Sequence, residues 1–190
     1  IIRTTQNGGP GVELDGARSS PMSLLVQNLD AVSHANGIQW RPSLSACDGA
    51  PVPELNFDER IAKRFEDLWP DLFEPAVIDP AVDFLAELAG TGDALELGVG
   101  TGRIALPLSR RGVRVHGIEL SPAMVAELQA KPGADDIDVT IGDFATAKVD
   151  GTFTLAYLVR NTIMNLTTQG EQVECFRNVA SHLETGGRFV

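Results

Sequence analysis

The sequence predicts an α/β fold, a doubly wound and mostly parallel sheet with helices on both faces. From residue 93 onward, short apolar segments alternate with segments of helical periodicity, joined by short links. Such alternation forces parallel strand pairing through right-handed crossovers. A glycine-rich segment, 96–102, stands between the first strand and the next helix. Open sheets of this kind bind ligands at that end of the strands.

The chain has 190 residues, 43% of them apolar, which is enough for one sizeable core and a single domain. Residues 1–52 mix Gly, Pro, Ser, Asn and Asp without a sustained period, so we expect an irregular or weakly packed segment with a short helix over 22–32. The folded core is expected to span 53–190. Residues 186–190 read as a turn entering a strand, so we expect a core truncated at its fifth strand.

Two helices are predicted ahead of the first long strand. Asn56 and Glu59 suit an N-cap with a reciprocal carboxylate, and the helix that follows should end at Pro70. Its apolar residues recur on one face: Phe57, Ile61, Phe65, Leu68 and Trp69. Asp79 and Pro80 suit the start of a second helix, which Gly90 should close.

The remaining elements follow in alternation. Strands are predicted at 94–97, 113–118, 137–141 and 153–159, and a last one near Arg188. Helices are predicted at 102–111, from the Ser121 cap to about residue 130, and from a Thr168–Glu171 capping box. Pro107 should bend or weaken the first of these helices. The last should point five residues inward, namely Val173, Phe176, Val179, Ala180 and Leu183.

Composition argues against several classes of partner. A net charge of −11 disfavours a nucleic-acid partner, because that affinity rests on clustered Lys and Arg. The longest apolar run, 155–159, is too short to span a bilayer, and no secretion signal is recognisable. Cys47 and Cys175 lie in unlike contexts, which favours a reducing cytoplasm, with Cys175 as a small core residue.

The glycine-rich segment has the chemistry of a ligand loop. Glycines at 98, 100 and 102 leave no β-carbons on the inner edge of the turn, so backbone amides can approach a ligand closely. Glu96 and the later Glu119 can accept hydrogen bonds from hydroxyls or an ammonium group. Such a site suits a positively charged cofactor that carries a nucleoside. The dinucleotide fingerprint would need glycine at 103, where Arg103 stands.

Polar residues follow each of the first four strands of the predicted core. They are Gly98, Glu119, Asp143 and Asn161. Because the carboxyl ends of parallel strands share one edge of the sheet, we expect these residues to line one crevice. Glu119 stands twenty-one positions after Gly98, the placement of the acid that takes ribose hydroxyls in nucleotide-binding folds.

From about Phe57 to Val190 the chain resembles class I S-adenosylmethionine-dependent methyltransferases of the small-molecule type. The resemblance implies that S-adenosyl-L-methionine is the cofactor and that a small molecule accepts the methyl group. It implies that Glu96 orients the cofactor amino group, Glu119 the ribose and Asp143 the adenine. The full implied set is Glu96, Gly98, Gly100, Gly102, Glu119, Leu120, Met124, Gly142, Asp143, Phe144, Leu158 and Asn161.

Two positions depart from the family pattern. Relatives often carry Tyr where Phe65 stands, and an uncharged or aromatic residue where Arg160 stands. A guanidinium at 160 could bind an anionic substrate or repel the cationic cofactor, and the sequence leaves both open. His116 and His182 suit structural roles, and His34 lies in the irregular N-terminal segment, so no catalytic base and no metal site is predicted. A non-catalytic cofactor-binding fragment and an NAD-dependent oxidoreductase remain the alternative functions.

Overall fold

The computed structural model describes residues 2–3 and 57–190. Residues 57–190 belong to one compact unit. The domain boundary near residue 53, the helix over 22–32, His34 and Cys47 lie outside the described residues. The predictions made for them are therefore untested.

One six-stranded sheet organises the described residues. Its strands are β1 (Ile2–Arg3), β2 (Ala94–Leu97), β3 (Val115–Glu119), β4 (Ile137–Ile141), β5 (Phe153–Tyr157) and β6 (Leu183–Phe189). They lie in the order β1-β6-β5-β2-β3-β4. β2 to β6 run parallel, and the two-residue β1 pairs antiparallel with β6. The chain winds outward from β2 in one direction and then from β5 in the other, which puts the topological switch point between β2 and β5.

Helices cover both faces of the sheet, as predicted. They are α1 (Glu59–Leu68), α2 (Pro75–Ala89), α3 (Ala105–Arg110), α4 (Pro122–Gln129) and α5 (Gln169–His182), with single 3₁₀ turns at Pro70–Phe73, Ala134–Asp136 and Thr162–Asn165. Side chains of α2, α3 and α4 share a core cluster with Ala94, whereas those of α5 share a second cluster with Leu95. Successive residues of a strand point to opposite faces, so the two clusters are the two layers of a doubly wound fold.

The first two helices start elsewhere than the sequence predicts. Asp58 caps α1, since its side chain accepts hydrogen bonds of 3.0 Å from the amides of both Arg60 and Ile61. The second helix begins at Pro75, and Pro80 lies inside it. Both prolines satisfy the φ of a helix, but only Pro75 stands at the first position, where no amide hydrogen is needed. The helix therefore extends through Pro80 with one backbone bond missing.

Pro107 does not weaken its helix, contrary to the prediction. α3 begins at Ala105, three residues later than predicted, so Pro107 stands in its first turn. The amides of a first turn have no partner inside the helix, and a proline there removes no hydrogen bond. The preceding residues, 101–104, form turns that carry the glycine-rich segment into α3.

The capping box of α5 is confirmed, but its inward face is only partly as predicted. Val173 and Phe176 are exposed, while Cys175 and Val179 are fully buried. The rest of the buried stripe is polar. Asn178 donates to the carbonyls of Phe144 and Ala147, and the ring of His182 bridges the Val149 amide and the Asn178 carbonyl. His182 therefore holds a loop against α5.

The last strand begins at Leu183, directly after α5, and not near Arg188 as predicted. Its pairing with β5 shifts between Leu183, opposite Phe153, and Arg188, opposite Leu155. The extra residues form a bulge that contains Gly186 at a φ of 85°. The turn expected at the two glycines is thus a bulge inside the strand. Within residues 57–190, no helix is both long enough and apolar enough to cross a membrane.

Candidate functional site

The glycine-rich segment forms the turn between β2 and α3, at the carboxyl edge of the sheet. Gly98, Gly100 and Gly102 have φ angles of 72°, 57° and 82°. Residues with a β-carbon rarely adopt this left-handed conformation, so the alternation of glycines is a backbone requirement of this turn. A β-carbon on Gly98 would also come within 2.6 Å of the Thr162 methyl group. Both constraints point to glycine at position 98.

Several amides of this turn already have acceptors within the protein. The amides of Gly98 and Val99 donate to the Ile118 carbonyl, and that of Gly102 donates to the Val99 carbonyl. The Gly100 amide donates to a carboxylate oxygen, Oε2 of Glu119, at 2.9 Å. The sequence predicts amides approaching a ligand directly, whereas these four donors are engaged inside the chain. A β-carbon on Gly98 or Gly102 would crowd neighbouring side chains of the protein, so these glycines allow the turn to pack closely.

Glu119 ends β3 and joins the glycine-rich turn to the start of α4. Besides the Gly100 amide, it accepts a 2.9 Å hydrogen bond from the Ser121 amide through Oε1. The carboxylate is 8% exposed. A carboxylate has about four acceptor positions, so two remain for other donors. Glu119 therefore fixes the turn and still offers acceptor capacity at the strand end.

Glu96 is buried in β2, and its partner is Tyr157 of β5. These residues are opposite each other in the parallel pairing, and the Tyr157 hydroxyl donates to Oε2 of Glu96 at 2.9 Å. Burial raises the pKa of Glu96 to about 8, although the Tyr157 hydrogen bond and the charge of Arg103 oppose the rise. Burial also raises the pKa of Tyr157 well above its ordinary value. The Glu96 carboxyl is thus poised to ionise near neutral pH.

One guanidinium group, that of Arg103, stands near this carboxyl, and a second, that of Arg160, stands near Arg103. Arg103 is half-buried and donates to the Leu72 carbonyl at 3.3 Å. Burial lowers the pKa of Arg103. The charge of Glu96 opposes this shift, whereas the positive charge of Arg160 adds to it. Arg160, after β5, has a φ of 60° and is the one residue other than glycine with a positive φ among the described residues.

The residues implied for the adenosine side lie at the ends of β3 and β4. Leu120 is 67% exposed, whereas Met124 and Phe144 are buried. The Gly142 amide donates to the Glu119 carbonyl at 2.9 Å, which ties the two strand ends together. Asp143 is exposed, and its Oδ1 accepts from the Ala145 amide at 2.8 Å. Leu120 and Asp143 thus face outward here, while Phe144 packs in the second core cluster.

Leu158 and Asn161 follow β5. Leu158 packs partly against the second core cluster, and its amide donates to the Val190 carbonyl. Asn161 is exposed and precedes the 3₁₀ turn Thr162–Asn165. The side chain of Thr162 lies against Gly98, since a β-carbon added to Gly98 would come within 2.6 Å of the Thr162 methyl group. The segment after β5 therefore borders the glycine-rich turn.

Strand register brings most of the predicted residues to one edge. Leu97 is opposite Ile118, and Glu119 is opposite Ile141. Glu96, the glycine-rich turn, Glu119 and Gly142 consequently lie on adjoining strand ends. Phe144, by contrast, packs in the second core cluster.

Sequence reasoning missed four residues that hold this edge together. Tyr157 binds Glu96, and Glu66, Thr101 and Lys131 join α1 to the glycine-rich turn. An aromatic residue in an otherwise apolar strand is a signal that could have pointed to Tyr157, since a buried hydroxyl needs a partner. The sequence holds no comparable signal for Lys131, which acts across 30 residues on a backbone carbonyl.

Comparison with known proteins shows that this chain is similar to methyltransferases. A family model described as a methyltransferase domain matches residues 94–187. Over 93 residues the chain is 33% identical to the cypemycin N-terminal methyltransferase of a Streptomyces species, covering 49% of this chain and 38% of that protein.

Solved structures of methyltransferases are also similar to this chain. The CcbJ methyltransferase from Streptomyces caelestis superposes with a TM-score of 0.65 at 36% identity, over 73% of this chain and 57% of that one. The glycopeptide N-methyltransferase MtfA, in complex with S-adenosyl-L-methionine, superposes with a TM-score of 0.53 at 25% identity, over 58% and 47%. The chain thus spans between 38% and 57% of the length of these relatives. Over residues 94–187 it matches a methyltransferase domain, and its fold is that of class I S-adenosylmethionine-dependent methyltransferases.

Proposed function

We propose that this chain binds S-adenosyl-L-methionine in the crevice at the carboxyl ends of β2, β3 and β4. The observation that carries the proposal is a pair of buried acids, Glu96 and Glu119, on the neighbouring strands that flank the glycine-rich turn. The proposed binding residues are Glu96, Gly98, Gly100, Gly102, Glu119, Leu120, Met124, Gly142, Asp143, Phe144, Leu158 and Asn161.

The residues present suit this cofactor. Glu96 gains a favourable partner when an ammonium group reaches it, because a positive charge stabilises the ionised carboxylate. Glu119 has acceptor positions left for ribose hydroxyls. Leu120 is a large apolar side chain that is mostly exposed, and Ile141 beside it is also exposed. An aromatic base placed between them would cover apolar surface that water now contacts.

The proposed activity is transfer of a methyl group to a small-molecule acceptor. One of the relatives named above is an N-methyltransferase and another is an N-terminal methyltransferase, which supports an amine nitrogen as the accepting atom. When bound, S-adenosylmethionine supplies an electrophilic methyl group on a positively charged sulfur. The nitrogen lone pair forms the new bond to carbon as the carbon–sulfur bond breaks, and the sulfur keeps that electron pair.

In this mechanism the chain contributes alignment and exclusion of water. The glycine-rich turn lets the backbone lie close to the ligand, and Glu96 and Glu119 fix its two polar ends. We assign no catalytic base. An amine can leave its proton to solvent after attack, so the reaction does not require one.

Two alternatives to this function are testable. The first is a non-catalytic fragment that binds the cofactor without turnover, which is relevant because the chain spans about half the length of its relatives. The second is an NAD-dependent oxidoreductase. The half-buried Arg103 disfavours it, because that position is the third glycine of the dinucleotide fingerprint.

A cytoplasmic location also belongs to the proposal and rests on the free, buried thiol of Cys175. The charge of −11 disfavours nucleic acid as the acceptor.

Calorimetric titration tests the proposal. S-adenosylmethionine and its demethylated product should both give saturable heat with one site per chain, and NAD should neither bind nor compete. Transfer of a labelled methyl group to paired amines and alcohols then separates an enzyme from a binding fragment. No heat with either adenosyl compound, from a sample shown to be folded, would refute cofactor binding.

A further inference from the structure

Lys131, just beyond the end of α4, makes two contacts at the candidate site. Its Nζ donates to the Thr101 carbonyl at 2.6 Å and pairs with Oε1 of Glu66 on α1. The Thr101 hydroxyl approaches the same Glu66 oxygen at 3.4 Å. One ammonium group therefore joins the middle of the glycine-rich turn to a helix 35 residues earlier in the chain.

The contact falls at a sensitive point of the turn. Thr101 is buried and stands between Gly100 and Gly102, both in the left-handed conformation. A carbonyl held by a charged donor fixes the orientation of its peptide plane, and charge-assisted hydrogen bonds are the stronger kind. Since the two glycines impose little conformational preference of their own, Lys131 supplies a restraint that they lack.

The same helix is tied to the site at two more points. The Ser121 hydroxyl donates to the Phe57 carbonyl at 2.6 Å, just before α1, and Arg103 donates to the Leu72 carbonyl at 3.3 Å, just after it. The ion pair between Lys131 and Glu66 lies between these two hydrogen bonds along the chain. α1 is consequently tied at one end to the start of α4 and, at and beyond its other end, to the glycine-rich turn and the residue that follows it.

We propose that Lys131 is a positioning residue that couples the docking of α1 to the shape of the glycine-rich turn, and so slows release of the cofactor. This rests on the proposed function, because it requires the crevice to bind S-adenosylmethionine. In this proposal Glu66 links α1 to the turn, because it pairs with the Lys131 ammonium group. Lys131 itself touches neither the cofactor nor the acceptor.

The chain contains a matched control on the same helix. Lys63 and Glu59 form an ion pair of the same chemistry one turn apart, with side chains 60% and 75% exposed. Neither makes a polar contact with the glycine-rich turn among the described residues. The Lys131 and Glu66 side chains are 27% and 46% exposed, so their pairing is less screened by water.

The test compares Lys131→Met, Glu66→Gln and their double variant with Lys63→Met. Association and dissociation rates of S-adenosylhomocysteine, the demethylated product, are measured for each, together with hydrogen exchange of the amides in residues 59–68. Lys131→Met should raise the dissociation rate about three- to tenfold and leave the association rate within about twofold, since one partly screened charged bond is lost. The ligand should slow exchange in α1 of the wild type but not of Lys131→Met.

The remaining outcomes are also decisive. Glu66→Gln should act in the same direction, and the double variant should be less than additive, because the two residues share one contact. Lys131→Arg, which keeps a charged donor, should restore most of the slow release. A wild-type dissociation rate in folded Lys131→Met, or an equal effect of Lys63→Met, would overturn the inference.

Two further cases are distinguishable. Should Lys131→Met fail to fold, Glu66→Gln carries the test, since it leaves the bond from Lys131 to Thr101 in place. A wild-type protein that binds no S-adenosylhomocysteine would overturn the proposed function as well as this inference. Binding by the wild type with unchanged release in every variant would overturn the inference alone.

Discussion

The Tyr157 hydroxyl donates a 2.9 Å hydrogen bond to Oε2 of Glu96, and both side chains are fully buried at opposite positions of neighbouring strands. This bond gives the buried carboxyl of Glu96 its hydroxyl partner. It also lowers the pKa of Glu96 against the stronger effect of burial. The Tyr157–Glu96 hydrogen bond therefore affects the stability of the centre of the sheet and the protonation state of Glu96.

Tyr157→Phe should destabilise the protein by about 1–3 kcal/mol, because it removes the hydroxyl and leaves a buried carboxyl oxygen without that donor. Chemical denaturation measures the change in the free energy of unfolding. The control is the same substitution in a Glu96→Leu background, where the partner is already absent and the cost should be small. An equal cost in both backgrounds would show that the bond contributes nothing.

Stability should depend on pH through Glu96. Its pKa is about 8 in the folded protein and 4.5 in the unfolded chain, so the folded state holds a proton that the unfolded state releases. The contribution of Glu96 is fully present below pH 4.5 and is lost as pH rises to about 8, by at most about 1.4 kcal/mol per pH unit. Glu96→Gln should remove this part of the slope. A variant with the wild-type pH profile would contradict the assignment.

Glu119→Ala should weaken binding of S-adenosylhomocysteine by roughly 1–3 kcal/mol, since it removes a charged acceptor and releases the Gly100 amide. Glu119→Gln keeps one acceptor oxygen and should fall between the alanine variant and the wild type. Calorimetry provides the affinities, with Asp138→Asn, an exposed acid of β4, as the control. Unchanged affinity in Glu119→Ala would remove this residue from the site.

Gly98→Ala should be costlier than an alanine placed at another left-handed glycine. A β-carbon at Gly98 meets the Thr162 methyl at 2.6 Å, whereas one at Gly133, with a φ of 86°, meets nothing within 4 Å. Gly133→Ala should cost about 1–2 kcal/mol from backbone strain alone, and Gly98→Ala about 1–3 kcal/mol more. Adding Thr162→Ser, which removes that methyl, should recover the difference. Equal unfolding free energies for the two alanine variants would refute the clash.

Arg160→Gly should stabilise the protein by up to about 1 kcal/mol. Glycine relieves the backbone strain of the positive φ in the folded state. This gain should exceed the cost of the greater conformational freedom that glycine gives the unfolded chain. Arg160→Ala retains the strain and serves as the control. Thermal unfolding should place the glycine variant above the alanine variant. The reverse order would show that the positive φ at position 160 is not strained, because neither variant carries the guanidinium.

Local signals predicted much of this fold. The Ser121–Pro122 start of α4 and the Thr168–Glu171 box of α5 each need only a few adjacent residues, and both are confirmed. The β2 and β4 boundaries follow from short apolar runs between breakers and match the structure. Parallel order follows from the alternation of elements, so the edge that carries Glu96 and Glu119 was also predictable.

The errors arose where two local signals were equally good or where distant contacts decided. Pro75 and Pro80 both suit a helix start, and sequence spacing does not rank them. Phe176 has the period of a core residue, yet it contacts Phe189 near the sheet edge and stays exposed. Tyr157 and Glu96 are 61 residues apart, so their bond depends on a strand register that no local pattern encodes.

A crystal structure of the protein with bound S-adenosylhomocysteine tests the central claim most directly. We predict ligand density in the crevice beside the glycine-rich turn, with the ribose oxygens within hydrogen-bonding distance of Glu119 and the amino group reaching Glu96 directly or through one water. Density at another surface, or a ligand in this crevice whose polar groups contact neither acid, would contradict it.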